Sequence, residues 1–219
     1  MIPNMTQKEK HRWIVKQTAL FLSKLDGCFV ECGVKQGTSS RIMAQVLKCK
    51  GFLFDTWRGF PHYSEHDVLN IRRQHRLDKR VHQFERTYKA CKLNLINGKV
   101  MKYCSMIKGD ILRTVPKFII ENHNINVIML HIDADLHDPT KTALECFFPF
   151  VDSKGVILIH DYGDNKWPGV KKVVDTFVNQ NNCFFVDHKT TIGVEIATLS
   201  KIDLFAYSKY ILQQWKQIS

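Results

Sequence analysis

The sequence predicts an α/β fold: a doubly wound, mainly parallel sheet with one antiparallel edge. Three observations predict it. Short apolar runs alternate with segments of helical periodicity along most of the 219 residues. The run Asn126–Asp135 is nearly all apolar, as in a central strand covered on both faces. The last two runs, Cys183–Asp187 and Thr191–Ala197, are separated only by "HKT" and read as an antiparallel hairpin.

The elements follow in order. Gln7–Leu25 carries apolar residues at helical spacing, and Cys28–Cys32 is a short strand. Thr38–Cys49 reads as a helix that Thr38 or Ser39 can cap, and Phe52–Asp55 as the second strand. Arg72–Lys92 has no Gly or Pro and holds eight Lys or Arg against two acids, a basic helical segment. Tyr103–Asp110 is the third strand, Ile111–Asn122 a helix, and Asn126–Asp135 the fourth strand. Pro139–Phe150 is helical, Gly155–Asp161 is the fifth strand, and Gly169–Asn181 a helix before the hairpin. Lys201–Ser219 is compatible with helix or irregular chain.

Hydrophobic residues make up 44% of the chain, enough for one packed core, so residues 1–219 read as a single domain. Residues 1–26 form an N-terminal helical extension to it, and a lid-like basic insertion spans about 60–99. No apolar stretch approaches the roughly 18 residues that span a bilayer, and Met1–Trp13 lacks the apolar run of a signal peptide. The seven cysteines form no C-x-x-C pair, and Cys28, Cys32, Cys104 and Cys146 sit inside apolar runs, as reduced thiols do. The expectation is a cytoplasmic protein without a membrane span. The net charge of +11 suits an anionic small molecule, a membrane surface or nucleic acid. Arg72–Lys92 is either a solvated helical face or a basic flap over an anionic ligand.

In a doubly wound sheet the ligand sits outside the carboxyl ends of the strands. Those ends are acidic here: Glu31, Asp55, Asp110, Asp133 with Asp135, and His160 with Asp161 follow strands one to five. One acid after a strand is ordinary turn chemistry. Five strands in series make a crevice suited to cationic groups, sugar hydroxyls or a metal. In "VECGVKQGTSS" (Val30–Ser40), Gly33 and Gly37 fit neither the dinucleotide spacing nor the phosphate-binding loop, which argues against a dehydrogenase. The glycines let backbone approach a ligand, the preceding acid disfavours a phosphate, and Asp55 stands where a ribose diol is often held. A phosphate-free nucleoside with positive charge, such as S-adenosylmethionine, meets these needs.

The stretches "FVECGVKQGTSS", "LFDTWRGFP", "IKGDILRTVP", "LHIDADLHDPTKTALECFFPFV" and "KGVILIHDYGDNKWPGVKKVVDTF" come in one order and cover most of Phe29–Phe177. Together they resemble the macrocin O-methyltransferase family, metal-assisted sugar O-methyltransferases of antibiotic biosynthesis. The resemblance implies a Rossmann-like class I methyltransferase fold of seven strands with helices on both faces. It implies methyl transfer from S-adenosylmethionine to a hydroxyl of a sugar, nucleotide sugar or other small polyhydroxylated acceptor. It puts Glu31, Gly33 and Gly37 on the cofactor loop, Ser39 and Ser40 at its small polar positions, Asp55 at the ribose and Asp110 near the adenine. Arg58 replaces an acid of the family pattern and belongs to the substrate rim.

The resemblance also implies a divalent cation. A sugar hydroxyl is a poor nucleophile, and a cation lowers its pKa and fixes its position. Asp133, Asp135 and Asp161 match the family's ligand positions, with Asp133 counted toward the cofactor as well, and Asp133 or Asp135 as base. Magnesium is the expected ion. His160 stands in place of an acid, and three roles are open to it: a ligand that shifts preference toward manganese, iron, nickel or zinc, a base, or packing. His131, Asp133, Asp135 and His137 share parity and on a continuous strand would share a face. His131, inside the apolar run, reads as a core histidine, whereas His137 replaces an aromatic position and is assigned to the substrate. Tyr162 and Trp167 either stack on adenine or sugar or pack on the sheet edge.

Two other functions compete. Nucleic-acid methylation has only the positive charge in its favour, and a catalytically inactive S-adenosylmethionine-binding protein has only His160. A nucleotide-sugar acceptor would account for the basic segment through its diphosphate. The N-terminal helix offers a surface for a homo-oligomer.

Overall fold

The computed structural model describes residues 5–68, 87–181, 183–189, 193, 195–201 and 203–218. Seven strands form one sheet in the order β3-β2-β1-β4-β5-β7-β6. They are β1 (Cys28–Cys32), β2 (Gly51–Asp55), β3 (Cys104–Lys108), β4 (Val127–Ile132), β5 (Val151–His160), β6 (Phe184–Asp187) and β7 (Ile196–Ser200). Strands β1 to β5 pair in parallel, and β7 runs antiparallel to both β5 and β6. The order reverses between β1 and β4, which places a crevice above their carboxyl ends.

Alternation along the strands builds two cores. Val30, Cys32, Phe54, Leu130 and Ile159 face α4 (Ile111–Glu121), α5 (His137–Phe147) and α6 (Pro168–Gln180). Phe29, Leu53, Met129 and Leu158 face α1 (Gln7–Leu22), α2 (Thr38–Leu47), α3 (Thr87–Asn97) and α7 (Phe205–Ile218). Burying each large apolar side chain contributes about 1.5–3 kcal/mol, so neither face can be stripped of its helices without a large loss.

Helix α1 starts at a capping box between Thr6 and Glu9 and buries Ile14, Val15, Thr18, Ala19 and Leu22, a helical stripe. It is no appendage: Trp13 meets Trp215 of α7 edge-on at 4.9 Å, and Thr18 Oγ1 lies 2.9 Å from Tyr207 Oη. The C-terminal run, open in the sequence, is helical because Tyr207, Ile211 and Trp215 recur at four-residue spacing on the buried side.

Several boundaries differ from the sequence reading. Gly37, not Thr38 or Ser39, is the N-cap of α2, at φ 71° and without a side-chain cap. A Cβ on Gly37 would lie 2.7 Å from Cys91 Sγ, so glycine there lets α3 approach. Strand β4 ends at Ile132, and Asp135 adopts φ 64°, so the parity shared by His131, Asp133, Asp135 and His137 does not become a shared face. Strand β7 starts at Ile196, five residues after Thr191, while its antiparallel pairing with β6 is as expected. Of the basic segment Arg72–Lys92, residues 72–86 lie outside the described residues, and Thr87 to Lys92 belong to α3. All seven cysteines are free, and burial pushes the thiols of Cys28, Cys91 and Cys104 up to about 12. No helix among the described residues is long and apolar enough to cross a membrane.

Candidate active site at the strand ends

A cavity of about 560 Å³ opens at the carboxyl ends of the parallel strands, a size in the range of small-molecule sites. Four of the loops that reach it turn on a non-glycine residue in left-handed backbone: Lys35 after β1, Trp57 after β2, Asp135 after β4 and Asp161 after β5. Such residues are uncommon and concentrate where backbone is held for function. Gly33 lines the cavity at φ 90° and touches the β4 loop so closely that a Cβ would stand 2.0 Å from the Asp133 carbonyl oxygen.

Asp55 ties two of these loops together. Its Oδ2 accepts the N–H groups of Val34 and Lys35, each at 2.7 Å, and its Oδ1 accepts the Trp57 N–H at 2.6 Å. The Trp57 indole donates in turn to the Lys35 carbonyl at 3.0 Å. Asp55 lines the cavity, yet much of its accepting capacity already holds backbone. Asp110 also lines the cavity, where it caps α4 by accepting the Leu112 N–H at 3.0 Å.

The acids after β4 and β5 converge. Asp133, Asp135 and Asp161 each offer an oxygen within 4.8 Å of the others. Burial and the charges of Asp161 and Asp133 push Asp135 well above the usual carboxylate range. Burial acts the same way on Asp133, but the neighbouring His160 outweighs it and holds Asp133 below that range. Burial opposes protonation of His160, and the carboxylates of Asp133 and Asp161 overcome it, holding its pKa well above the ordinary histidine value. His160 Nδ1 stands 3.0 Å from both Asp133 Oδ1 and Asp161 Oδ1, without the alignment of a hydrogen bond to either. Asp161 Oδ2 is buried and receives no donor from the described residues. A buried carboxylate oxygen without a donor is costly, and a proton or a cation is what it lacks. This donor set fits a divalent cation.

His11 is the functional candidate that sequence reasoning missed. It sits on α1, lines the cavity, and stacks on His160 with ring centroids 4.2 Å apart. Burial and the charge of His160 keep its pKa well below the ordinary value. Its Nε2 lies 3.0 Å from His131 Nε2, and His131 Nδ1 lies 2.9 Å from Glu31 Oε1. Glu31 also accepts a hydrogen bond from the Ser40 hydroxyl. The signal available in the sequence was spacing: His11 continues the buried stripe of α1 at 14, 15, 18, 19 and 22.

The remaining assignments divide. Gly33, Asp55, Asp110, Asp133, Asp135, His160, Asp161 and Trp167 share the cavity. Glu31, Gly37, Ser39 and Ser40 stand behind its wall, because Glu31 faces the buried His131 and Gly37 faces α3. Trp167 meets Phe60 edge-on at 5.7 Å within the cavity. Tyr162 packs instead, its hydroxyl donating to Asp175 at 2.8 Å and its ring against Phe185. His137 is turned to Asp138, 2.6 Å away, with its backbone N–H on Asp67, and Arg58 is exposed beside the cavity mouth without lining it. Lys8, Lys35 and Lys166 line the cavity as cations above the acidic floor.

A family model described as a methyltransferase domain matches residues 30–162. No curated protein matches the sequence. Among solved structures, CalS11, a calicheamicin methyltransferase, is similar with a TM-score of 0.72 at 19% identity over 91% of this chain and 81% of that one. The O-methyltransferase NovP gives 0.68 at 19% identity, over 89% and 80%. TomG from Streptomyces achromogenes, an O-methyltransferase involved in tomaymycin synthesis and solved with S-adenosylmethionine, gives 0.60 at 12% identity, over 90% and 81%. At these identities the likeness speaks for the fold.

Proposed function

The chain belongs to the methyltransferase-domain family, and on that premise we propose an S-adenosylmethionine-dependent O-methyltransferase, assisted by a divalent cation, that acts on a sugar, nucleotide sugar or similar polyhydroxylated acceptor. The observation that carries the reading is the convergence of Asp133, Asp135 and Asp161, with an oxygen of Asp161 left buried without a donor, in the cavity that the β1 and β2 loops also line. The macrocin-type motifs and the TDP-rhamnose 3'-O-methyltransferase activity named for CalS11 support a sugar as acceptor.

In the reaction an O–CH₃ bond forms as the S–CH₃ bond of the sulfonium breaks, and the hydroxyl proton passes to a base. The loops held by Asp55 present backbone to the cofactor, with Asp110 and Trp167 on the same cavity wall. A bound cation would be held by Asp133, Asp135 and Asp161 and would acidify the acceptor hydroxyl. Asp133 stands beside His160 and suits ligation, and the same cluster of acids supplies the base for the hydroxyl proton. Lys8, Lys35 and Lys166 favour an anionic acceptor such as a sugar carrying a diphosphate.

Calorimetric titration of S-adenosylmethionine tests this reading, with magnesium or manganese present and again after chelation. Saturable binding that Asp55→Ala weakens at least tenfold, and a separate metal heat lost in Asp161→Ala, are the expected results. Absence of cofactor heat under every condition would overturn it.

A further inference from the structure

The metal site read from the acids alone omits a donor that arrives from the other end of the chain. We propose that His11, with His160 and Asp133, ligates a transition-metal cation, so that α1 supplies a ligand and the site prefers such an ion to magnesium. The proposal rests on the metal-assisted reading above and specifies its ligands. His11, Asp133 and His160 each offer a donor atom within 4.8 Å of the other two. Two donors each about 2.1 Å from one ion stand about 3.0 Å apart when their bonds meet at a right angle. His160 Nδ1 and Asp133 Oδ1 are already 3.0 Å apart, out of line for a hydrogen bond. The buried Asp161 Oδ2, which no donor among the described residues reaches, belongs to a residue that lines the same cavity.

The surroundings of His11 are those of a ligating imidazole. Metal-bound histidines almost always engage their second ring nitrogen with a carboxylate, a carbonyl or water, which fixes the tautomer. Here His11 Nε2 is engaged by His131 Nε2, and His131 Nδ1 by Glu31. When Glu31 accepts from both Ser40 and His131, His131 has only Nε2 left as an acceptor for the His11 N–H. Nδ1 of His11 then carries a bare lone pair, the form a metal binds. Neither Glu31 nor His131 lines the cavity, so their pairing orients His11 and does not compete for the ion. Two imidazoles and a carboxylate suit manganese, iron, cobalt, nickel or zinc, whereas magnesium favours oxygen donors throughout.

The test uses the full chain, freed of metal by chelation and titrated with cobalt(II) and with magnesium. Cobalt should bind at least tenfold more tightly, and His11→Ala should weaken cobalt binding by at least about tenfold, the low end of what loss of an outer-shell partner alone costs, while magnesium binding changes less. Pulsed electron paramagnetic resonance of the copper(II)-loaded protein should count two imidazole ligands, and one in His11→Ala. His11→Gln, which keeps a polar side chain of similar reach, guards against a folding defect, with circular dichroism confirming the helix content of both variants. Equal affinity for the two ions, one imidazole in the parent protein, or cobalt binding indifferent to both substitutions would each overturn the proposal. S-adenosylmethionine heat is recorded on the same samples. Its absence while cobalt binding still needs His11 would sink the methyltransferase reading and leave the ligand assignment standing.

Discussion

Replacing Gly33 with alanine adds one methyl group where two loops of the site touch backbone to backbone. The new Cβ would sit 2.0 Å from the Asp133 carbonyl oxygen and 2.5 Å from its carbon, at a residue whose φ is 90°. Neither loop can step aside freely: Gly33 N–H donates to Phe54 and Asp133 N–H donates to Cys32, both at 2.8 Å. The left-handed backbone costs an L-residue about 1–2 kcal/mol, and the overlap adds about 1–3 kcal/mol as overpacking does elsewhere. A total near 3 kcal/mol corresponds to a melting temperature lower by about 6–12 °C in a chain of this size. Gly163→Ala is the matched control. It also lies at positive φ, 78°, but its nearest neighbour would be Lys189 Cδ at 3.6 Å, an ordinary contact. It should lose only the backbone part, about 1–2 kcal/mol. Thermal unfolding followed by circular dichroism reads both variants, and calorimetry reads metal binding, which should weaken in Gly33→Ala because Asp133 must move. Melting of the two variants within roughly 2 °C of each other, against a difference of about 1–3 kcal/mol, would refute the close-approach argument.

Two buried polar side chains, Glu31 and His188, give further tests. Glu31→Ala leaves His131 and Ser40 buried without their partner and should cost about 3–5 kcal/mol in urea unfolding, as breaking a buried pair does; a cost below about 1 kcal/mol would mean that water replaces the carboxylate. Burial lowers the His188 pKa to about 4, so the unfolded chain binds the proton first as pH falls. Its contribution to stability is present above the ordinary value near 6.5 and is lost as pH drops from there toward 4, by about 2 kcal/mol at pH 5. His188→Gln should remove that part of the pH dependence, and an identical pH profile in parent and variant would contradict the burial effect.

Much of the architecture was legible because its signals are local. The short apolar run Cys28–Cys32 marks a strand, and all of β1 is buried. The strand-end positions were legible for the same reason, and six of the seven so marked line one cavity: Asp55, Asp110, Asp133, Asp135, His160 and Asp161. Glu31 went astray because a strand end does not disclose which side of the sheet its side chain takes. In the parallel register Glu31 lies opposite His131, and both point toward α1 and α2. The end of β4 was overrun because Asp133–Asp135 continues the alternation of the strand, and only the left-handed turn at Asp135 breaks it. His11 lies 120 positions from His131, a separation across which no local pattern carries information.

That separation has a practical side for anyone cutting this chain into pieces. The motifs that announce its chemistry, and the family match, lie within a central stretch, residues 30–162 for the match. A fragment chosen by those borders would keep Asp55, Asp110, Asp133, Asp135 and Asp161 and lose α1, and with it the side chains of Gln7, Lys8 and His11 that line the same cavity. It would also uncover Met129 and Leu158, against which Ile14, Val15 and Leu22 pack. The part of the molecule richest in recognisable sequence is therefore not a working unit, and the first helix must travel with it.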